Sequence, residues 1–542
     1  MKKFMSVALS TTMLASCLGM AACGGGKTSN SMGDTSGKTV ITVASYNGGL
    51  GLDWLKGAAA RFSAQYEGKS FEDDKMGVAI DVVESLAGDM LQSRNLDKDV
   101  YLTESVDYYY MQSQGKFANI SDVVKADLKD GSNKTIEGKM DSAMSSYLKA
   151  KDGEYYAIPF YDGFYGFIYD VEMFETKGWF FDEAGKFTKT DRSKGLDGKA
   201  GTYDDGMPMT YAQFGKLVDK IRMDGDGVTP FIYGGTDNEN YFIEALANYW
   251  ANYEGKESML LNWSLNGETN LITGFNGETP VIEKKTITDD NRFDLQKQAG
   301  KYYALQFMRK VVTSNGENYT TASNFKAAQQ ALIRSHLNGE VNSGTTAAMI
   351  IDGSWFENEA ELSGTFQSVA KNDFRDGIKG QDYKKTRKFA FMPIPMVDEN
   401  CSTKQTLISS NESYCFINAA TKGGKLDAAK EFLQFLHTDA ELSAFNKLTS
   451  ITRPYTYTMS EADRAEMSYY GQSLLQMKET SDIVYPYSDN LTYIQNSSQH
   501  RLDTWAWKSQ FGGAPVDNPF LQFKANASLT TKTYFEGLFK AY

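Results

Sequence analysis

The sequence predicts an α/β protein, and three observations carry the prediction. Apolar runs of strand length alternate with amphipathic stretches of helix length in the part of the chain that begins near Thr39. About 500 residues follow an amino-terminal leader, enough for two or three domains with a large core. No later apolar run is long enough to span a bilayer. Strand–helix alternation of this kind builds sheets of parallel strands, with ligands held outside their carboxyl ends.

The elements follow in order. Val40–Ala44 reads as a buried strand and 52–62 as a helix, with Val78–Val83 a second strand and 99–102 a third. The carboxyl-end rule then marks Tyr46–Gly49 and Thr103–Tyr110 as a candidate site. Residues 155–170 are dense in aromatics around Pro159, Gly163 and Gly166, and lead into a helical pattern over 171–176. Asp191–Pro208 is a polar Asp- and Gly-rich loop, after which Thr210 is placed to cap a helix over 211–223. Residues 241–252 read as a helix, 255–290 as a polar insertion with a hairpin, and 292–313 and 325–338 as helices. Thr346–Trp355 reads as strand, turn and helix start. Residues 389–395 form a strand closed by prolines, 414–418 a strand and 425–437 a helix, and there is no internal repeat.

The leader has its own chemistry. Lys2 and Lys3 precede an apolar run to Ala22, too short for a comfortable membrane span, which describes a secretory signal over residues 1–22. Met20-Ala21-Ala22 runs into Cys23 and three glycines, which resembles a bacterial lipobox, where the cysteine sulfur receives the lipid. Residues 23–38 are almost wholly Gly, Ser, Thr, Asn, Lys and Asp, and cannot bury enough surface to offset their ordering entropy, so a flexible tether is expected. These features predict a chain lipid-anchored at the extracellular face of a cytoplasmic membrane.

Composition excludes several functions. A net charge of −13 speaks against nucleic acid or anionic lipid as a partner. Three isolated histidines, His336, His437 and His500, lack metal-ligand spacing, and no nucleophile elbow is present. No cofactor is expected. Beyond Cys17 and Cys23, Cys401 and Cys415 remain, and both a disulfide across a hairpin and two free thiols suit an exported chain.

Four segments in order, Tyr156-Ala157-Ile158-Pro159, Ala348–Trp355, Phe391-Met392-Pro393-Ile394-Pro395 and Ala428–Leu433, resemble the extracellular solute-binding proteins (family 1) of carbohydrate ABC importers, which include maltose-binding protein. Asp204–Pro208 with Thr210-Tyr211 is similar to a Gram-positive subgroup. The resemblance spans the mature chain. It implies a two-lobed periplasmic-binding-protein-like fold of type II, with a multi-strand hinge and an interlobe cleft. Carried over, one lobe covers 39–159 and 406–436, the other 160–405 and 437–542. It further implies a monomer that binds a carbohydrate without chemistry and docks on permease subunits.

Sugar binding needs aromatic faces for the apolar side of the pyranose and planar polar groups for its hydroxyls. The resemblance places a stacking ring at Trp355, cleft-floor contacts at Tyr161 and Asp162, and polar contacts at Tyr46 and Asn47. Asp107 and one of Tyr108, Tyr109 and Tyr110 follow the third strand. A further ring is expected among Tyr485, Tyr487, Trp505 and Trp507, of which Trp505 is chosen. For most of these positions packing is the competing reading. Asp197, Asp204 and Asp205 offer oxygen ligands of the kind calcium takes, without EF-hand spacing, and a solvated acidic loop is the stronger reading.

Two competing functions stay open. A secreted glycoside hydrolase would use paired carboxylates such as Asp162 and Glu357. The same fold could instead hold a peptide or other solute. Abundant Tyr and Trp favour a neutral oligosaccharide.

Overall fold

Two sheets organise the chain in the computed structural model, which describes residues 35–224, 227–234, 239–313, 318–334, 345–372, 387–401, 404–409, 413–496 and 519–539. The signal, Cys23, most of the tether and Trp505 lie outside the described residues. Among the described residues no helix is long and apolar enough to cross a membrane.

The first sheet has Thr39–Tyr46 beside Val78–Ser85 on one flank and Val100–Glu104 on the other, all parallel. Ser413–Ile417 closes the order antiparallel to Val100–Glu104. Ile41 and Val43 are fully buried, and the helices Asp53–Gln65 and Gly423–Leu436 cover the sheet. Phe62 of the first helix meets Phe432 and Phe435 of the second at 5.1 and 5.4 Å.

The second sheet runs Tyr319–Ala322, Val228–Gly234, Thr346–Gly353, Tyr165–Asp170, Phe389–Phe391. Every residue of Thr346–Gly353 is buried, as expected of a central strand covered on both faces. Its first three strands are parallel, but Tyr165–Asp170 runs antiparallel to Thr346–Gly353 and Phe389–Phe391 antiparallel to Tyr165–Asp170. The all-parallel expectation is corrected in both sheets for one reason. Ser413–Ile417 and Tyr165–Asp170 enter from the other half of the molecule, so no strand–helix–strand crossover fixes their direction.

Among the described residues three ties join the halves. Residues 158–165 leave the first sheet, where Ile158 bridges Cys415, and enter the second. Thr406–Ile408 pairs in parallel with Asp482–Val484, and its backbone is held by amides of the long helix Glu239–Ser264. Asn252 Oδ1 accepts from Thr406 N at 3.0 Å, and Asn248 Oδ1 from Ile408 N at 2.7 Å. From there the chain reaches Ser413–Ile417. The helix Asp439–Thr449 packs on the first half, with Trp54 edge-on to Phe445 at 4.8 Å and Arg61 bidentate on Glu441 at 2.7 and 2.6 Å. Tyr469–Thr480 packs on the second, where Tyr470 donates to Ser354 O at 3.2 Å.

Some boundaries differ from expectation. The helix over 241–252 extends to Ser264, broken at Gly255, whose φ of 77° suits glycine. The hairpin is therefore confined to Gly267–Asn276 and Thr279–Ile287. The helix expected over 292–313 splits into a 3-10 segment, Asp289–Lys297, and Ala299–Val312. Cys401 and Cys415 are free thiols, so the bridge does not form. Cys415 is fully buried in register with Leu102 of the first sheet, while Cys401 sits in a turn beside Asp398 in the second half.

Candidate functional site

The loop after Thr39–Tyr46 brings backbone to the cleft between the halves. Gly48 and Gly49 have φ of 40° and 80°, conformations that side chains disfavour, and they let other groups approach the chain closely. A methyl at Gly48 would lie 2.8 Å from Glu104 Oε1 and 2.9 Å from the Tyr46 ring. Asn47 holds the turn itself, with its side-chain oxygen accepting from Gly51 N at 3.0 Å, and is otherwise exposed.

Glu104 ends the third strand and accepts a short hydrogen bond from Tyr161 OH. Tyr161 is buried on the crossing 158–165, where its backbone N–H reaches Ser413 Oγ at 3.1 Å. Burial raises the Glu104 carboxyl to about 7, opposed by the Tyr161 hydrogen bond, and burial followed by the nearby Glu104 charge raises the Tyr161 phenol well above its usual value. A carboxyl poised there exchanges donor and acceptor roles near neutral pH.

The opposite wall comes from the end of Thr346–Gly353. A side chain at Gly353 would overlap the Trp355 indole, so the missing Cβ fixes where the ring lies. Trp355 meets Tyr165 and Tyr241 edge-on at 5.1 and 6.0 Å. Its other neighbour is Gly49 of the facing loop, where a methyl would stand 3.2 Å from the ring. The structure thus brings together Tyr46, Tyr161 and Trp355 around Gly48-Gly49, with Asn47 at the rim.

Other expected residues have different surroundings. Asp107 is exposed and caps the helix Tyr108–Ser113 by accepting from Tyr110 N at 3.0 Å. Tyr108 is buried and donates to Leu148 O, Tyr109 donates to Tyr147 O, and Tyr110 is exposed. Asp162 is fully buried and ion-paired to Lys478 at 2.7 Å. Tyr487 is buried and stacked on Tyr147 at 4.9 Å, and Tyr485 is buried near the Asp162 charge.

Asp197, Asp204 and Asp205 do converge, on Thr202 Oγ1 at 3.3, 2.8 and 3.3 Å. Their oxygens also accept from Lys199 N, Asp197 N and Gly201 N. Burial raises the Asp204 carboxyl, and among the described residues no group of three or more acids, histidines or cysteines is arranged to hold a metal ion. Concavities outside the cleft among the described residues include one lined by Asp197, Tyr203, Asp204 and Lys404 and another between the helices Tyr211–Asp224 and Ala299–Val312.

Sequence reasoning missed two residues. Glu104 carried a signal, since it lies in the stretch marked by the carboxyl-end rule. Asn358 carried none. It sits on the helix Phe356–Leu362 and donates to Gly49 O at 2.7 Å and Leu50 O at 2.9 Å, joining the two walls.

The chain matches no known family profile and no curated protein. Its fold is similar to that of several solved structures. RafE of Streptococcus pneumoniae is 14% identical with a TM-score of 0.50, covering 94% of this chain and 98% of that one, and RafE is also solved in complex with raffinose. The GacH receptor of Streptomyces glaucescens, solved unliganded and with acarbose, is 13% identical with a TM-score of 0.52 over 93% and 97% of the two chains. A probable secreted solute-binding lipoprotein of Streptomyces coelicolor is 12% identical with a TM-score of 0.53 over 93% and 98%. The fold is therefore the two-lobed periplasmic-binding-protein-like α/β fold, as the sequence predicts.

Proposed function

We propose that the chain is the substrate-binding component of a carbohydrate ABC importer, which captures a sugar or oligosaccharide by lobe closure and delivers it to a permease. One observation carries this reading most strongly. Trp355 of one half stands against the Gly48-Gly49 turn of the other, beside Tyr46, Glu104 and Tyr161, so stacking and polar groups meet at one interlobe seam. The fold shared with RafE and GacH, solved with raffinose and with acarbose, supports it. In this reading Tyr46, Asn47, Tyr161 and Trp355 touch the ligand, joined by Glu104.

The lobes follow the two sheets. The first comprises the described residues of about 39–159 with 413–450, the second those of about 165–408 with 467–539. This reading moves the boundaries expected at 406 and 436 to the far side of Thr406–Ile408 and to the end of Asp439–Thr449. Cys23 carries the lipid, and the tether holds a monomer near its permease while leaving closure free.

The hydrolase alternative is disfavoured by the surroundings of its carboxylates. Asp162 is paired with Lys478, and Glu357 accepts from Ser450 Oγ at 2.8 Å and Ser468 Oγ at 2.6 Å. Thermal unfolding with raffinose, maltotriose and chitotriose tests the reading. A sugar-dependent rise in melting temperature without released product is expected, and turnover or no response to any sugar overturns it.

A further inference from the structure

Asp162 lies at the point where the ties between the lobes meet. It belongs to the crossing 158–165 and is fully buried. Its backbone N–H donates to Thr452 O at 2.9 Å, and its carboxylate accepts from Thr452 Oγ1 at 3.1 Å. Thr452 follows the helix packed on the first lobe. Ser409, on the second crossing, donates to the same carboxylate at 3.4 Å and also accepts from Gly163 N at 3.4 Å. The third partner is Lys478, at 2.7 Å, on a helix packed on the second lobe. Its ammonium also donates to Arg453 O, beside Thr452. Tyr485 completes the set as a buried neighbour whose phenol is raised by burial first and by the Asp162 charge next.

We propose that Asp162 is a positioning residue for lobe closure, a clasp that holds the first and second crossings, the segment after Asp439–Thr449 and the helix Tyr469–Thr480 in one register. The proposal rests on the binding-protein reading for its ligand consequences, but not for its mechanics. A buried carboxylate whose neighbours are provided by four separate segments cannot turn toward a ligand without leaving Lys478 unpaired, which is costly for a largely buried charge. Rotation of one lobe against the other must instead pass through these bonds. Asp162 therefore sets how far the closed arrangement is favoured, and Lys478 couples that setting to the second lobe. Ligand choice stays with the seam around Trp355.

The test compares the full chain with Asp162→Asn and, in case that variant fails to fold, Lys478→Met, which removes the cation while leaving Ser409 and Thr452 to serve the carboxylate. Hydrogen exchange is followed by mass spectrometry without sugar. Amides of 47–51 and 356–362, remote from the clasp in sequence but joined by Asn358, are expected to exchange about tenfold faster, while the core strand 346–353 keeps its protection. Raffinose and maltotriose are expected to lose affinity by the same factor, so that their ratio is unchanged. A changed ratio with unchanged exchange would make Asp162 a ligand contact and overturn the proposal, as would no change in either. Faster exchange at the seam in a protein whose parent binds neither sugar would uphold the clasp while removing the sugar reading.

Discussion

Asn358 spans the seam to Gly49: its side-chain amide donates to Gly49 O at 2.7 Å and, beyond it, to Leu50 O at 2.9 Å. In the proposed reading both carbonyls belong to one lobe and the donor to the other, so closure of the lobes makes these bonds. Asn358→Ala removes them and leaves two carbonyls without a partner, a loss of about 2 kcal/mol in closure and about thirtyfold in sugar affinity. Calorimetric titration checks this. Unaltered affinity would mean that Asn358 plays no part in closure.

Gly49 offers a second probe of the same seam. Its φ of 80° disfavours any side chain, and a methyl there would lie 3.2 Å from the Trp355 ring. Gly49→Ala is expected to cost about 1–2 kcal/mol from backbone conformation alone, and more in the closed form, where the ring must shift. Tryptophan fluorescence in a sugar titration reads both effects. An unchanged titration midpoint would show that the ring and the turn do not meet on binding.

How much of this was legible beforehand varied with the range of the interaction. Strands such as Val40–Ala44 and Thr346–Gly353 announce themselves by local apolar pattern, and the Gly48-Gly49 turn by composition. Trp355 was placed by resemblance, and Gly353 beneath it was part of the quoted motif. Asp162 shows the limit: its sequence position fits a ligand contact and a hinge equally. Only folding brings Ser409, Thr452 and Lys478 around it, from 247, 290 and 316 residues away. Strand direction failed in the same way, because the antiparallel members depend on where the chain recrosses. Gly255 ended a helix pattern in the sequence, yet the helix resumes after it because its apolar residues Met259 and Leu261 still find a core.

Glu104 gives a pH signature with a definite sign. Burial raises its carboxyl from 4.5 to about 7, so between those values the folded protein holds a proton that the unfolded chain has released. Its contribution is fully present below pH 4.5 and is lost as pH rises to 7, by about 3 kcal/mol at most. Glu104→Gln keeps a neutral hydrogen-bonding side chain. Its stability relative to the parent is expected to rise across pH 5–7, as read by urea unfolding. A flat difference would show that Glu104 titrates normally.

The two free thiols differ in reactivity. Cys415 is fully buried and its thiol is raised to about 12 by burial, so almost no thiolate forms at neutral pH. Cys401 is partly exposed in its turn. Alkylation of the native protein followed by peptide mass mapping is expected to label Cys401, and Cys415 only after unfolding. A disulfide-linked pair of peptides would contradict the fold's separation of the two.

The strongest single-residue effect on stability is expected at Arg387. Its guanidinium, almost fully buried, pairs with Asp170 at 2.5 Å and Glu172 at 2.7 Å and also donates to Ile333 O. Asp170 is itself fully buried at the end of its strand and caps the helix Val171–Lys177 by accepting from Met173 N at 3.1 Å. Arg387→Met leaves that carboxylate buried without its cation, at a cost of about 3–5 kcal/mol. Replacing Asp170 by Asn in the same chain removes the uncompensated charge while keeping a good helix cap, so the double variant should recover part of the loss. Urea midpoints of the parent, the two single variants and the double variant measure this coupling. Strictly additive losses would mean that Asp170 and Arg387 stabilise the second lobe independently, despite their contact.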